Sequence, residues 1–105
     1  MMNRQDIISK IKNVLQEIVP GAKVILYGSE ARGDSSENSD VDILILIEQK
    51  QIPVKLKAQI FNALYDIELE YRILISPVIY TRKQWENRPY KTPFYINVLN
   101  EGIEL

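Results

Sequence analysis

Residues 26–47 read LYGSEARGDSSENSDVDILILI, and this stretch decides both the fold and the site. An apolar strand, Lys23–Tyr27, leads into a Gly-Ser turn at Gly28 and Ser29, and a second apolar strand, Val41–Ile47, follows a polar loop. Glycine lets the backbone turn sharply and leaves its N–H unencumbered. The order strand, turn, loop and strand therefore predicts two sheet strands with a polar site at the turn between them.

Two carboxylates, Asp40 and Asp42, open the second strand. Residues two apart on a strand point to the same face, so both carboxylates are predicted to lie close together. Like charges that close are costly unless a cation lies between them, and a hard divalent ion such as Mg²⁺ is held by one or two carboxylates plus substrate phosphates. The Gly-Ser turn offers N–H groups and a hydroxyl to those phosphates. The pattern predicts a metal–nucleotide site; the alternative is a solvated strand entrance beside a tight turn.

The length, charge and composition of the chain exclude several classes of protein and of active site. The 105 residues suffice for one compact domain, expected to span 1–105, and the net charge of −1 does not favour a nucleic-acid surface. The chain has no cysteine and no histidine, which excludes thiol catalysis, an imidazole base and most zinc sites. The longest apolar run, Ile43–Ile47, is too short to span a bilayer, and no apolar signal segment opens the chain. A cytoplasmic protein with no membrane contact is expected.

The flanking sequence predicts helices on both sides of the two strands. Asn3 can cap a first helix, whose apolar residues recur at helical spacing as far as Ile18, before Pro20 and Gly21 stop it. A second amphipathic helix is predicted over 54–70, with Pro53 in its first turn.

A third strand is predicted over Arg72–Tyr80, and Pro77 within it indicates an edge position or a bulge. Thr81 and Thr92 each cap a further helix, the second ending at Gly102. The element order indicates a small α+β or α/β domain, and it leaves the order of the strands open.

The residues Gly28-Ser29-Glu30-Ala31-Arg32-Gly33, followed by Ser39-Asp40-Val41-Asp42, carry a family resemblance. They resemble the signature of the polymerase-beta-type nucleotidyltransferase superfamily, most closely that of the minimal nucleotidyltransferase (MNT) branch. That pattern is Gly-Ser-x-Ala-Arg-Gly, a variable loop and Ser-Asp-x-Asp. The resemblance implies the small α+β nucleotidyltransferase fold, with a mixed sheet of three or more strands flanked by helices.

The resemblance also implies an activity. Mg²⁺, with two ions possible, would assist attack of a hydroxyl on the α-phosphate of ATP, with release of pyrophosphate. Members of this branch commonly pair with helical HEPN proteins, often as antitoxins that adenylylate a partner tyrosine; a homo-oligomer is also possible. The implied site residues are Asp40 and Asp42 as catalytic metal ligands, and Gly28, Ser29, Arg32 and Ser39 as nucleotide-binding residues. Arg32 is alternatively structural, paired with Asp34, Glu37 or Asp42.

The chain departs from the family pattern on its third strand. Active members carry a third carboxylate there, which serves as metal ligand and general base. Here Leu74 or Ser76 stands at that position, depending on the register, and Glu70 would reach it only if the strand began earlier. A general base contributes roughly 10²–10⁴-fold to a rate. One alternative to an adenylyltransferase is therefore a catalytically weak partner-binding module. A transferase that acts on a small molecule is a third, less favoured alternative, because no acceptor domain is expected.

Overall fold

A computed structural model describes residues 3–36 and 38–105 of the chain. The elements, in order, are α1 Arg4–Ile18, β1 Lys23–Tyr27, α2 Ser29–Arg32, β2 Val41–Ile47, α3 Val54–Tyr71, β3 Ile75–Thr81, α4 Arg82–Glu86, α5 Pro93–Glu101 and β4 Ile103–Glu104. No helix among the described residues is both long enough and apolar enough to cross a membrane.

The strands form one mixed sheet in the order β3-β2-β1-β4. β1 pairs antiparallel with both β2 and β4, whereas β2 pairs parallel with β3. The parallel pair requires a crossover, which α3 supplies. Pro77 lies on β3 at the edge of the sheet, where its missing N–H breaks no ladder. The predicted α+β fold, the mixed sheet and the edge position of Pro77 are confirmed.

Helices cover both faces of the sheet. One face of β2 presents Val41, Ile43, Ile45 and Ile47 to the larger core, which α1 and α3 complete. The opposite face presents Leu44 and Leu46 to a smaller cluster with α4 and α5. Burial on both faces explains why β2 is an almost unbroken apolar run rather than an alternating one.

The smaller cluster is aromatic. Trp85 is 5% exposed and packs against Phe94 and Tyr95, with ring centroids 5.9 Å and 4.8 Å away. The guanidinium carbon of Arg88 lies 5.0 Å from the ring centre of Tyr80, 4.6 Å from that of Trp85 and 5.3 Å from that of Tyr95. Aromatic rings attract a cation over their faces. Arg88 therefore ties α4 and α5 together over this side of the sheet.

The predicted start of the third strand is wrong. Arg72 is the left-handed residue that ends α3, at φ 54°, and the N–H groups of Arg72 and Ile73 both donate to the carbonyl of Glu68. The chain must leave the helix through this turn, so β3 begins only at Ile75. There the Glu68 carboxylate accepts a hydrogen bond from the Ile75 N–H at 2.9 Å.

Two further details, the start of α3 and an additional short strand, also differ from the prediction. Pro53 is the cap before α3 rather than a residue of its first turn. The two-residue strand β4, after Gly102, was not predicted, because it is too short and too exposed to produce an alternating pattern. Asn3 and Thr81 cap their helices as predicted, and both caps are capping boxes.

Candidate functional site

A row of three side chains crosses the sheet where β1 ends and β2 and β3 begin. Tyr27 is paired with Asp42, and Asp42 with Ser76. Residues in register on neighbouring strands face the same side of the sheet. Leu44, two residues after Asp42, belongs to the cluster under α4 and α5, so the row lies on that same face.

Gly28 brings the Gly-Ser turn against this row. Its φ is 74°, and a Cβ atom placed there would lie 2.5 Å from Oδ2 of Asp42. Both the backbone conformation and the contact disfavour any larger residue. The turn and the carboxylate predicted to act together are therefore adjacent.

The turn continues into the short helix α2. Gly28 is the cap, its carbonyl accepts from the Arg32 N–H at 3.1 Å, and Gly33 closes the helix at φ 80°. Ser29 is the first helical residue, and its side chain does not cap the helix.

The surroundings of Asp42 disfavour the charged form of its carboxyl group. Burial raises the pKa of its carboxyl, the neighbouring Asp40 carboxylate raises it further, and Arg32 opposes both. Asp40 itself is exposed. Among the described residues, no three acidic, histidine or cysteine side chains come together as a metal-binding group. The two-carboxylate donor set nevertheless suits Mg²⁺ supplemented by phosphate oxygens, because a divalent cation relieves the excess negative charge.

Arg32 forms ion pairs within the protein and also remains partly exposed to solvent. Its Nε lies 3.3 Å from Oδ2 of Asp34, as the structural alternative expected, and its Nη1 lies 3.3 Å from Oε1 of Glu101. Its side chain remains 49% exposed, and its charge lowers the pKa of Asp42. Glu37, another suggested partner, lies outside the described residues.

Ser39 belongs to the loop that precedes Asp40. Its hydroxyl accepts from the Ser36 N–H at 2.9 Å, and its carbonyl accepts from Nη2 of Arg4 at 2.7 Å. Arg4 also forms an ion pair with Glu30 in α2. Arg4 thus fastens α1 to both sides of the site. Sequence reasoning missed it, because no local pattern links a helix residue to partners 26 and 35 positions away.

The register of β3 identifies the residue beside Asp42 as Ser76. Leu74 precedes the strand and is 63% exposed, while Glu70 lies within α3. Of the three alternatives, Ser76 therefore has the position on the site face, and neither Leu74 nor Glu70 shares it.

An apolar groove lies between α3 and the start of β3. The large side chains at positions 61, 65 and 69 follow one another at helical spacing and are exposed, as is Leu74. An open cavity of about 310 Å³ extends from Tyr65 and Leu69 to Leu74 and Asn38, in the loop two residues before Asp40.

The chain is similar to proteins of a known family. A nucleotidyltransferase domain family matches residues 8–104. Two proteins of Methanocaldococcus jannaschii, named putative protein adenylyltransferase MJ0141 and MJ0604, are similar along almost their whole length. MJ0141 is 41% identical over 103 residues, covering 95% of this chain and 96% of its own. MJ0604 is 32% identical over 107 residues, covering 96% of each chain.

Two solved structures share the fold. A toxin–antitoxin crystal structure with AMP-PNP superimposes with a TM-score of 0.64 at 18% identity, covering 91% of this chain and 69% of the other. A mutant of the toxin–antitoxin MntA-HpeT gives a TM-score of 0.61 at 19% identity, covering 100% and 72%. The resemblance noted in the motifs at Gly28–Gly33 and Ser39–Asp42 is confirmed along the chain: this protein belongs to the nucleotidyltransferase domain family.

Proposed function

We propose that this protein is a Mg²⁺-dependent adenylyltransferase that moves AMP from ATP to a hydroxyl group of a partner protein. The observation that carries the proposal is the approach of Gly28 to Asp42, where a Cβ atom would lie 2.5 Å from the carboxylate oxygen. A turn whose backbone N–H groups can bind phosphate thereby adjoins a carboxylate pair. Mg²⁺ bridged to phosphates requires both parts side by side.

Each site residue has a role in this proposal. The Gly28 N–H, the Ser29 hydroxyl and the Arg32 guanidinium hold the β- and γ-phosphates, with Ser39 nearby in the loop. Asp40 and Asp42 would hold the metal ion, which would supply positive charge to offset that of the leaving pyrophosphate.

The transfer is a substitution at the α-phosphorus. The acceptor oxygen forms a bond to that phosphorus, the bond to the oxygen bridging the α- and β-phosphates breaks, and pyrophosphate leaves. The hydroxyl proton passes to water. Because ATP is supplied inside the cell, we place the reaction in the cytoplasm.

The acceptor is best sought in a protein. The similar M. jannaschii proteins are named as protein adenylyltransferases, and the fold neighbours are toxin–antitoxin structures. The groove beside Tyr65, Leu69 and Leu74 offers exposed apolar surface that leads to the loop before Asp40. Such surface is typical of a protein contact. We assign it to a helical partner of the HEPN type, with this chain as the antitoxin.

Isothermal titration with ATP, with and without Mg²⁺, tests the nucleotide site. We expect Mg²⁺-dependent binding that Asp40→Asn and Asp42→Asn each abolish without unfolding the protein. Asp66→Asn is the matched control, because Asp66 is an exposed aspartate within α3. Retained Mg²⁺-dependent affinity in both site variants would contradict the assignment.

The second candidate is a partner-binding module with little or no catalysis. Ser76 favours it, because a side chain without a carboxylate stands beside Asp42. Intact-mass measurement of a co-purified partner after incubation with Mg²⁺ and ATP separates the two functions. A gain of one AMP supports the transferase, whereas an unmodified partner that stays bound supports the module.

A further inference from the structure

A carboxylate from a distant part of the chain reaches the Gly-Ser turn. Oε1 of Glu101 accepts a hydrogen bond from the Gly28 N–H at 3.3 Å. Nη1 of Arg32 lies 3.3 Å from the same oxygen and 3.4 Å from Oε2. The turn therefore already holds an anionic group that the protein itself supplies.

The sheet explains how Glu101 arrives there. Glu101 is the last residue of α5, and β4 follows it after one residue. β4 pairs antiparallel with β1, with Ile103 opposite Leu26. Continuing that register by two residues places Glu101 opposite Gly28. Strand pairing thus brings the end of α5 next to the Gly-Ser turn.

Close packing fixes the end of α5. A Cβ atom at Gly102 would lie 2.5 Å from the carbonyl oxygen of Val98 and 2.8 Å from Cγ2 of Ile25. The helix end consequently lies directly against β1, with no room for a bulkier residue between them. The Glu101 side chain, 26% exposed, extends from this fixed point toward Gly28.

We propose that Glu101 sets the affinity of the site for nucleotide by competing with the phosphates. This inference rests on the proposed function, in which the Gly28 N–H and the Arg32 guanidinium bind phosphate. A backbone N–H is a single donor, and two anions repel each other at such a distance. The Glu101 carboxylate must therefore withdraw before a phosphate oxygen takes its place. Nucleotide binding then also removes a contact that anchors the end of α5.

Titration of Mg²⁺–ATP into wild type, Glu101→Gln and Glu104→Gln tests the competition. Glutamine keeps the shape of the side chain but removes its charge, so we expect Glu101→Gln to bind roughly 3- to 10-fold more tightly. Glu104→Gln is the matched control. It removes one negative charge from the same segment, but Glu104 is 57% exposed and pairs with Lys23 at 3.5 Å rather than with the turn. Its affinity should stay close to that of wild type.

The amide resonance of Gly28 supplies a second readout without nucleotide. We expect Glu101→Gln to shift this resonance and Glu104→Gln to leave it unchanged. An unshifted Gly28 resonance in Glu101→Gln would overturn the contact. A thermal unfolding midpoint near that of wild type confirms that each variant is folded.

The same titrations distinguish a failure of the proposed competition from a failure of the proposed function. If wild type binds ATP and Glu101→Gln binds equally or more weakly, the competition is overturned while the proposed function stands. Weaker Mg²⁺ dependence in Glu101→Gln would instead identify a metal-binding role. If none of the three proteins binds ATP, the proposed nucleotide site itself is overturned together with this inference.

Discussion

Ser76 lies beside Asp42, in register across the parallel pair of β2 and β3 and on the same face of the sheet. A carboxylate at position 76 would join Asp40 and Asp42 as a third acidic group. The chain instead presents a hydroxyl, which is a poor base and a weak metal ligand. This one relationship determines how strongly the site is expected to bind metal and to catalyse transfer.

Replacing Ser76 with aspartate should therefore strengthen the site. We expect Ser76→Asp to lower the unfolding midpoint without metal, since it adds a third negative charge, and Mg²⁺ to restore it. Where AMP transfer is measurable, the rate should rise about 10-fold or more, because a base contributes roughly 10²–10⁴-fold. Ser9→Asp, on an exposed position of α1, is the control for added charge. An equal Mg²⁺ response in both variants would contradict the placement of Ser76.

Gly28→Ala should be more harmful than an ordinary change of glycine. It combines a positive φ with a Cβ atom 2.5 Å from Asp42, whereas Gly21 has φ 87° and nothing within 4 Å of a Cβ atom. Gly21→Ala thus reports the cost of a positive φ without a Cβ contact, about 1–2 kcal/mol. We expect Gly28→Ala to lose more stability than this in urea unfolding, and to lose Mg²⁺-dependent ATP binding. Equal losses in the two variants would show that the contact with Asp42 is unimportant.

The pKa of Asp42 predicts a pH dependence of stability. Because burial and Asp40 raise this pKa above 3.8, the folded protein binds the proton more tightly than the unfolded chain does. The stability from this group is present below pH 3.8 and is lost as the pH rises through the raised folded pKa. In chelator-treated buffer, Asp42→Asn should melt above wild type at neutral pH, and the difference should shrink toward acid. Asp66→Asn, at an exposed position of α3, is the control for the loss of one charge. A trend of the opposite sign in Asp42→Asn would refute the argument.

Arg4 and Glu30 should be strongly coupled in folding. Their side chains are 19% and 8% exposed, so removing the guanidinium leaves the Glu30 carboxylate partly buried without this ion pair. Arg4→Met should cost about 2–4 kcal/mol in urea unfolding. The double variant with Glu30→Met should cost less than the sum of the two single changes. A double-mutant cycle measures this difference, and strict additivity would show that the pair contributes little.

Much of the fold could be predicted because its signals are local. The bounds of β1 and β2 follow from apolar runs between polar turns, and the first helix from its cap and its spacing. The start of β3 could not be predicted, since the left-handed residue that ends α3 is Arg72 rather than a glycine. Strand β4 could not either, because only its partner β1 makes two residues a strand.

In the site, too, the residues with local sequence motifs could be predicted and those placed by tertiary contacts could not. The motifs identify Gly28 and Asp42, and the structure brings them together. Arg4 and Glu101 contact the turn and its loop from opposite ends of the sequence, so only the tertiary fold reveals them. The choice among Leu74, Ser76 and Glu70 likewise required the register of a parallel pair, which sequence periodicity does not determine.

The burial of Trp85, a residue of α4, between the sheet and α5 gives the protein an intrinsic fluorescent reporter. It is the only tryptophan in the chain, and it packs on the side of the sheet that carries Asp42. Its emission therefore originates at one known position, next to the stacked guanidinium of Arg88. Changes in how the two helices cover the sheet can be followed by emission wavelength and quenching, with no dye attached and no residue replaced.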